Sequence, residues 1–158
     1  MKEVITIFSD SHGDLNALDK LRPAFLKSNK IVFLGDGRND LKTIALDFGY
    51  KTYMVDGNCD GYSLDPELIF SVGNFKILAV HGHRFYVKDG LNNLISYAKE
   101  QGCNVALFGH THLPTLLDIN GVKLINPGTI SLNGKRRTYC VLEIDGDKFN
   151  AKIEEFII

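Results

Sequence analysis

All five histidines of this chain lie in three short motifs: Ser9-Asp10-Ser11-His12, His81-Gly82-His83 and Gly109-His110-Thr111-His112. Gly35-Asp36-Gly37 and Gly57-Asn58-Cys59-Asp60 stand between them. Imidazole is the commonest protein ligand for borderline transition metals, and carboxylate and amide oxygens complete such sites. Taken singly, each motif reads as an ordinary turn, since Gly, Asp and Asn all favour turns. Taken together and in this order, they point to a metal centre. The mixed nitrogen and oxygen donors exclude a structural thiolate zinc site. They suit Mn, Fe, Ni, Co or Zn.

Such donors need a scaffold that brings five loops together. Each motif follows a short apolar, β-branched run, which predicts strands over residues 4–8, 31–34, 52–55, 77–80 and 105–108. Apolar spacing predicts a helix over residues 15–26, through Leu15, Leu18, Leu21, Phe25 and Leu26, with Pro23 expected to kink or end it. Further helices are expected over 40–48 and 91–100. Later in the chain, Gly73-Asn74, Asn120-Gly121 and Asp145-Gly146 each separate two strand-like runs, the strongest short hairpin signal. A parallel-type sheet followed by antiparallel hairpins implies an α/β fold of two packed sheets covered by helices. The motifs then sit beyond the carboxyl ends of strands, where open α/β sheets bind ligands.

The 158 residues suit a single domain over 1–158. A hydrophobic share of 44% and a charged share of 23% are those of an ordinary globular protein. The net charge of -1 argues against general attraction to nucleic acid or an anionic membrane. Cys59, Cys103 and Cys140 have no paired spacing, which fits a reducing compartment better than a disulfide framework. No run approaches membrane-spanning length and no signal-peptide architecture is visible, so a cytoplasmic location is expected.

The five motifs, in identity and order, resemble the calcineurin-like metallophosphoesterase superfamily, most closely its small YfcE-like phosphodiesterase branch. The resemblance runs from Asp10 to Asn126-Pro127-Gly128-Thr129. It implies a four-layer αββα sandwich of two mixed β-sheets flanked by helices. It assigns Asp10, His12, Asp36 and His112 to one divalent metal, and Asp36, Asn58, His81 and His110 to a second. Asp36, Asn58 and His81 are then the catalytic residues, and Mn is the favoured ion. The implied reaction is hydrolysis of small organic phosphodiesters by a hydroxide bridging two metals. Two ions about 3.5–4 Å apart can clamp the attacking and leaving oxygens of an in-line displacement. Two divalent ions outweigh two carboxylates and one hydroxide, so such a centre attracts a phosphate anion even in a slightly acidic protein.

One departure stands out. Larger members of the superfamily carry a histidine, thought to be the leaving-group acid, where this chain has Cys59. A thiol is a poor proton donor near neutral pH, and Cys59 is expected to be a small buried residue without a chemical role. His83 has no place among the seven ligands. Arg38, Cys59, His83 and Arg84 are candidates for substrate contact, with Lys88 and Lys135-Arg136-Arg137 further off. Residues 126–131 are expected to line the same edge, with Gly128 allowing close backbone approach.

The rival reading is a non-catalytic interaction scaffold, because a retromer subunit resembles this fold. A pure scaffold has no reason to keep all seven ligands. A nuclease is disfavoured by the absence of a basic stripe. A homo-oligomer is compatible with the sequence.

Overall fold

The computed structural model describes residues 1–61, 65–132 and 136–158. β1 (Lys2–Phe8), β2 (Lys30–Phe33) and β3 (Thr52–Met54) run parallel to one another. β9 (Arg137–Asp145) pairs antiparallel with β1 on its other side, and β10 (Lys148–Phe156) closes the sheet in the order β10-β9-β1-β2-β3. The second sheet has the order β4-β5-β6-β8-β7. It is built from β4 (Glu67–Val72), β5 (Phe75–Val80), β6 (Val105–Leu107), β7 (Thr115–Ile119) and β8 (Val122–Asn126). Within it β5, β6 and β8 are parallel, while β4 and β7 are antiparallel edges.

Both sheets are therefore mixed. The expected split into an early parallel sheet and later hairpins is corrected in two respects. The last hairpin, β9–β10, returns to the first sheet, and the second sheet has a parallel centre.

Alternation along the strands makes three apolar layers. Ile5, Ile7, Val32 and Leu34 face Ile77, Ala79, Val105 and Leu107 between the sheets. The opposite face of the first sheet presents Phe8, Ile31 and Phe33 to α1 (Leu15–Lys20) and α2 (Arg22–Lys27), which bury Leu18, Leu21 and Phe25 there. The Phe8 ring lies 5.4 Å from that of Phe25 and 5.0 Å from that of Phe33. Burying each such side chain contributes about 1.5–3 kcal/mol. On the far side, α4 (Asn92–Glu100) packs Leu94, Ile95 and Ala98 against Leu78, Val80 and Phe108. The result is four layers, helix, sheet, sheet, helix.

The helix expected over 15–26 breaks at Leu21, before Pro23, because proline is well suited to the first turn of α2. Residues 40–48 form a 3-10 turn over Arg38–Thr43 followed by α3 (Ala45–Phe48). The turns at Gly73 and Gly146 meet, with Asn74 N–H donating to the Gly146 carbonyl at 2.9 Å. They lock the two sheets at the end remote from the strand termini that carry the motifs.

Candidate metal centre

Five loops leave the carboxyl ends of β1, β2, β3, β5 and β6 and converge. Of the seven described non-glycine residues with positive φ, five are Asp10, His12, Asp36, His110 and His112. Such backbone costs about 1–3 kcal/mol per residue and persists where the surroundings over-determine it. The loops also nest closely. A β-carbon on Gly35 would come 2.9 Å from His81 Nδ1, and one on Gly37 would come 1.8 Å from Ser11 Oγ.

Two triads result. Asp10, His12 and His112 form one, and Asp36, His81 and His110 the other, with ligand atoms in each within 4.8 Å of one another. His112 Nε2 stands 3.2 Å from Asp10 Oδ1, and His81 Nε2 stands 3.2 Å from Asp36 Oδ2. His12 Nε2 is 3.5 Å from Asp10 Oδ1 and 3.8 Å from Asp36 Oδ2. Ring nitrogens also face each other, His12 Nε2 to His112 Nε2 at 3.4 Å and His81 Nε2 to His110 Nδ1 at 3.2 Å. His81 Nδ1 reaches the Leu34 carbonyl at 2.7 Å. That carbonyl can only accept, so Nδ1 carries the proton and the other nitrogen of a neutral ring turns a lone pair on Asp36. Imidazole nitrogens and carboxylate oxygens gathered this closely make a mixed nitrogen and oxygen donor set that fits a divalent metal.

In the metal-free cluster, protons on the imidazoles balance the carboxylates instead. Burial alone would lift the Asp10 pKa, but hydrogen bonds from His112 and His12 outweigh it and hold the carboxyl well below its usual range. Asp36 is likewise lowered, with burial opposed by its hydrogen bond to His81. For His81, burial is outweighed by the Asp36 bond and the charges of Asp10 and Asp36, and its pKa rises. Burial, helped by the charge of His81, pushes His110 down to about 4.

Asn58 is exposed, its amide nitrogen 3.6 Å from Cys59 Sγ. Its loop touches the cluster through Cys59 N–H, which donates to Asp36 Oδ1 at 2.8 Å. Cys59 itself is exposed, which corrects the expectation of a buried residue. Its thiol also groups with His12 and Asp36. Beside the cluster lies a cavity of about 360 Å³, lined among others by His12, Asp36, Arg38, Asn39, Cys59 and Asp60.

His83 joins the cluster. Its ring is 5.5 Å from that of His81, and its buried Nδ1 has no hydrogen-bond partner among the described residues. Arg38 reaches the cavity wall, but its Nη1 is committed to both oxygens of buried Asp56, at 2.7 and 2.8 Å. Arg84 and Lys88 are exposed. Arg136 pairs with Glu155 and Arg137 with Asp14, so both serve structural ties, and Lys135 lies outside the described residues.

Residues 126–131 support the cluster from behind. Asn126 donates to the Gly109 carbonyl at 3.1 Å, and Thr129 Oγ1 donates to the Asp10 carbonyl at 2.8 Å. The close approach at Gly128 is toward Thr138, whose Oγ1 would lie 2.0 Å from an added β-carbon. Sequence reasoning missed Asp40, which accepts from Ser11 Oγ at 2.7 Å and Gly13 N–H at 2.8 Å and so holds the His12 loop. An aspartate in a helical stretch gives no such signal.

A family model for the calcineurin-like phosphoesterase superfamily domain matches residues 3–147. The chain belongs to this superfamily. Among curated members of that metallophosphoesterase family, "Probable metallophosphoesterase YsnB" of Bacillus subtilis is 34% identical over 149 residues, covering 90% of this chain and 85% of that protein. "Phosphodiesterase YfcE" of Escherichia coli is 29% identical over 164 residues, covering 87% of this chain and 85% of that protein. A predicted phosphoesterase from Streptococcus pneumoniae superposes with a TM-score of 0.82 at 27% identity, over 98% of this chain and 90% of that one. Vps29 of Chaetomium thermophilum, at 14% identity and a TM-score of 0.77 over 97% and 96% of the two chains, shares the fold alone. The four-layer metallophosphatase sandwich is common to this chain and the superposed structures.

Proposed function

We propose that the chain hydrolyses small organic phosphodiesters beside a pair of divalent ions, with Mn favoured. The observation that carries this reading is the pair of triads meeting over Asp10 and Asp36 with their imidazole nitrogens turned inward. Asp10, His12 and His112 would hold one ion and Asn58, His81 and His110 the other. Asp36 would serve both, since His81 and His12 are both near its Oδ2. When bound, such ions polarise a phosphoryl oxygen and make water a nucleophile near neutral pH.

The chain's own residues do the rest. Asp10 and Asp36 stay ionised, and the Leu34 carbonyl keeps His81 in one tautomer. The cavity is at the low end of the 300–1,000 Å³ typical of small-ligand pockets, which favours a small diester over a polymer. Cys59 on the cavity wall and His83, packed against His81 and His110, are the side chains that would meet the substrate's substituents, with exposed Arg84 following His83 in the chain. Partial desolvation of the sulfur, although the residue is exposed, and the charge of Asp36 push the Cys59 thiol up, so it is a weak acid for the leaving group.

The test is reconstitution with Mn, elemental analysis after desalting, and a panel of phosphomonoesters and phosphodiesters. Two equivalents of Mn and turnover of diesters are expected, with Asp36→Asn inactive and His110→Ala partly rescued by excess Mn. Two equivalents of Mn with no turnover of any ester would favour a scaffold of the same fold.

A further inference from the structure

Asp60 is not among the seven ligands, yet its carboxylate accepts four backbone N–H groups among the described residues. Oδ2 takes Asp36 N–H and Gly57 N–H, each at 2.8 Å, and Oδ1 takes Gly37 N–H at 2.9 Å and Arg38 N–H at 3.0 Å. The donors belong to two different loops, one leaving β2 and the other leaving β3. Gly35, Asp36 and Gly37 are consecutive residues with φ of 102°, 63° and 146°. Backbone in this region turns successive N–H groups to one side and makes a concavity that demands an anion. Asp60 is that anion, supplied from within the chain.

The geometry points to Asp60 as the positioning residue that pre-forms the shared ligand Asp36 and the Asn58 loop before any metal arrives. This rests on the two-metal reading above. Asp60 acts on Asp36 twice. It fixes the backbone of Asp36 directly, and it closes the turn in which its own N–H reaches the Gly57 carbonyl at 3.2 Å. That turn carries the Cys59 N–H that donates to Asp36 Oδ1. Charge-assisted bonds of this kind are roughly twice as strong as neutral ones. Without them, the left-handed Asp36 keeps the bond its carbonyl accepts from His12 N–H at 3.0 Å, but its own N–H and those of Gly37 and Arg38 lose their acceptor. Its oxygens would then have to be gathered by the metal itself, at the expense of affinity. Because Asn58 shares the clamped turn, the ion held by Asn58, His81 and His110 depends on Asp60 through both loops. The other ion depends on it only through Asp36.

The test compares Mn binding with fold stability in the full chain. Metal-free parent, Asp60→Asn, Asp60→Ala and the control Asp14→Asn are titrated with MnCl2 by calorimetry and melted without metal. Asp14 caps α1 and pairs with Arg137, so its loss weakens the fold away from the clamp. Loss of a partner that orients a metal ligand typically costs 10–100-fold in affinity, and about that loss is expected for Asp60→Asn, larger at the ion held by Asn58, His81 and His110. Asp14→Asn should lower the melting temperature and leave Mn affinity unchanged. A purely structural Asp60 would behave like Asp14. Unchanged Mn affinity in both Asp60 variants overturns the inference, and so does failure of both to fold without metal, since Asp60 would then serve the fold. A parent that binds fewer than two Mn refutes the two-metal reading instead, and the Asp60 comparison is still read on the ion that binds.

Discussion

Gly57 and Asp36 are nested so closely that a β-carbon on Gly57 would lie 2.1 Å from Asp36 Oδ1 and 2.6 Å from its backbone nitrogen. The φ of Gly57 is outside the left-handed region, so alanine is forbidden there by space alone. Gly57→Ala must displace the shared carboxylate. Overpacking of this kind costs about 1–3 kcal/mol. The expected outcome is a modestly lowered melting temperature and loss of Mn binding at both sites, read by calorimetry. A variant that binds Mn like the parent would show that Asp36 is not shared.

Cys59 on the cavity wall leads to a second expectation. Without a good acid, turnover depends steeply on the basicity of the leaving group, so a nitrophenyl diester should be cleaved readily and an alkyl diester poorly. General acid catalysis is worth about 10²–10⁴-fold. Cys59→His should therefore raise the alkyl rate relative to the nitrophenyl rate, measured at matched Mn loading. An unchanged ratio in a folded, metallated variant would place Cys59 away from the leaving group.

Arg38 gives a third. Its Nη1 holds a carboxylate, Asp56, that is fully buried, while the Arg38 side chain is 36% exposed. Hydrogen bonds to charged groups contribute about 1.5–3 kcal/mol, and partial exposure puts Arg38→Met toward the lower end. Denaturant melts should show this loss, and KM for a small diester should change little. A large rise in KM at unchanged stability would return Arg38 to substrate binding.

The histidines give a fourth, in pH. The hydrogen bond from His12 to Asp10 raises the His12 pKa above 6.5, and His81 is raised as well. A raised folded pKa stabilises fully below 6.5 and loses that contribution as pH rises through the folded value. His110, lowered to about 4, contributes above 6.5 and loses it as pH falls toward 4. From pH 6.5 upward, the metal-free protein should therefore become less stable. The Mn-loaded protein should become more stable over the same range, because metal ligation requires deprotonated rings. Melts with chelator and with Mn across this range decide it, and parallel curves would refute it.

Much of this was legible from local chemistry. Asn120 and Gly121 both adopt positive φ, at 53° and 82°, as a two-residue hairpin demands, and their identities announce it. His81 directly follows a run of buried apolar residues, so its place at a strand end was readable. Other features depend on partners distant in sequence. Nothing in Cys140 or Leu142 shows that their strand lies beside β1, because the alternation fits either sheet. Asp60 reads as a turn residue until the four amides around it are seen. Cys59 looked buried by type, and only the loop's position at the cavity wall exposes it.

The place of β1 has a consequence for the order of assembly. It lies between β2 and β9, with Lys2 opposite Asp145. Synthesis proceeds at about 5–20 residues per second, so the strand that carries Asp10 and His12 at its end waits many seconds for its second neighbour. Pairing at such separation must close a very long loop before any contact rewards it. Through that interval Ile5 and Ile7 lack their neighbours Leu142 and Cys140 in the sheet, and the free edge of β1 invites pairing with other chains. A nascent chain of this fold thus stays open to such pairing until the β9–β10 hairpin docks, although Asp10 and His12 are already tied to the β2 loop by then.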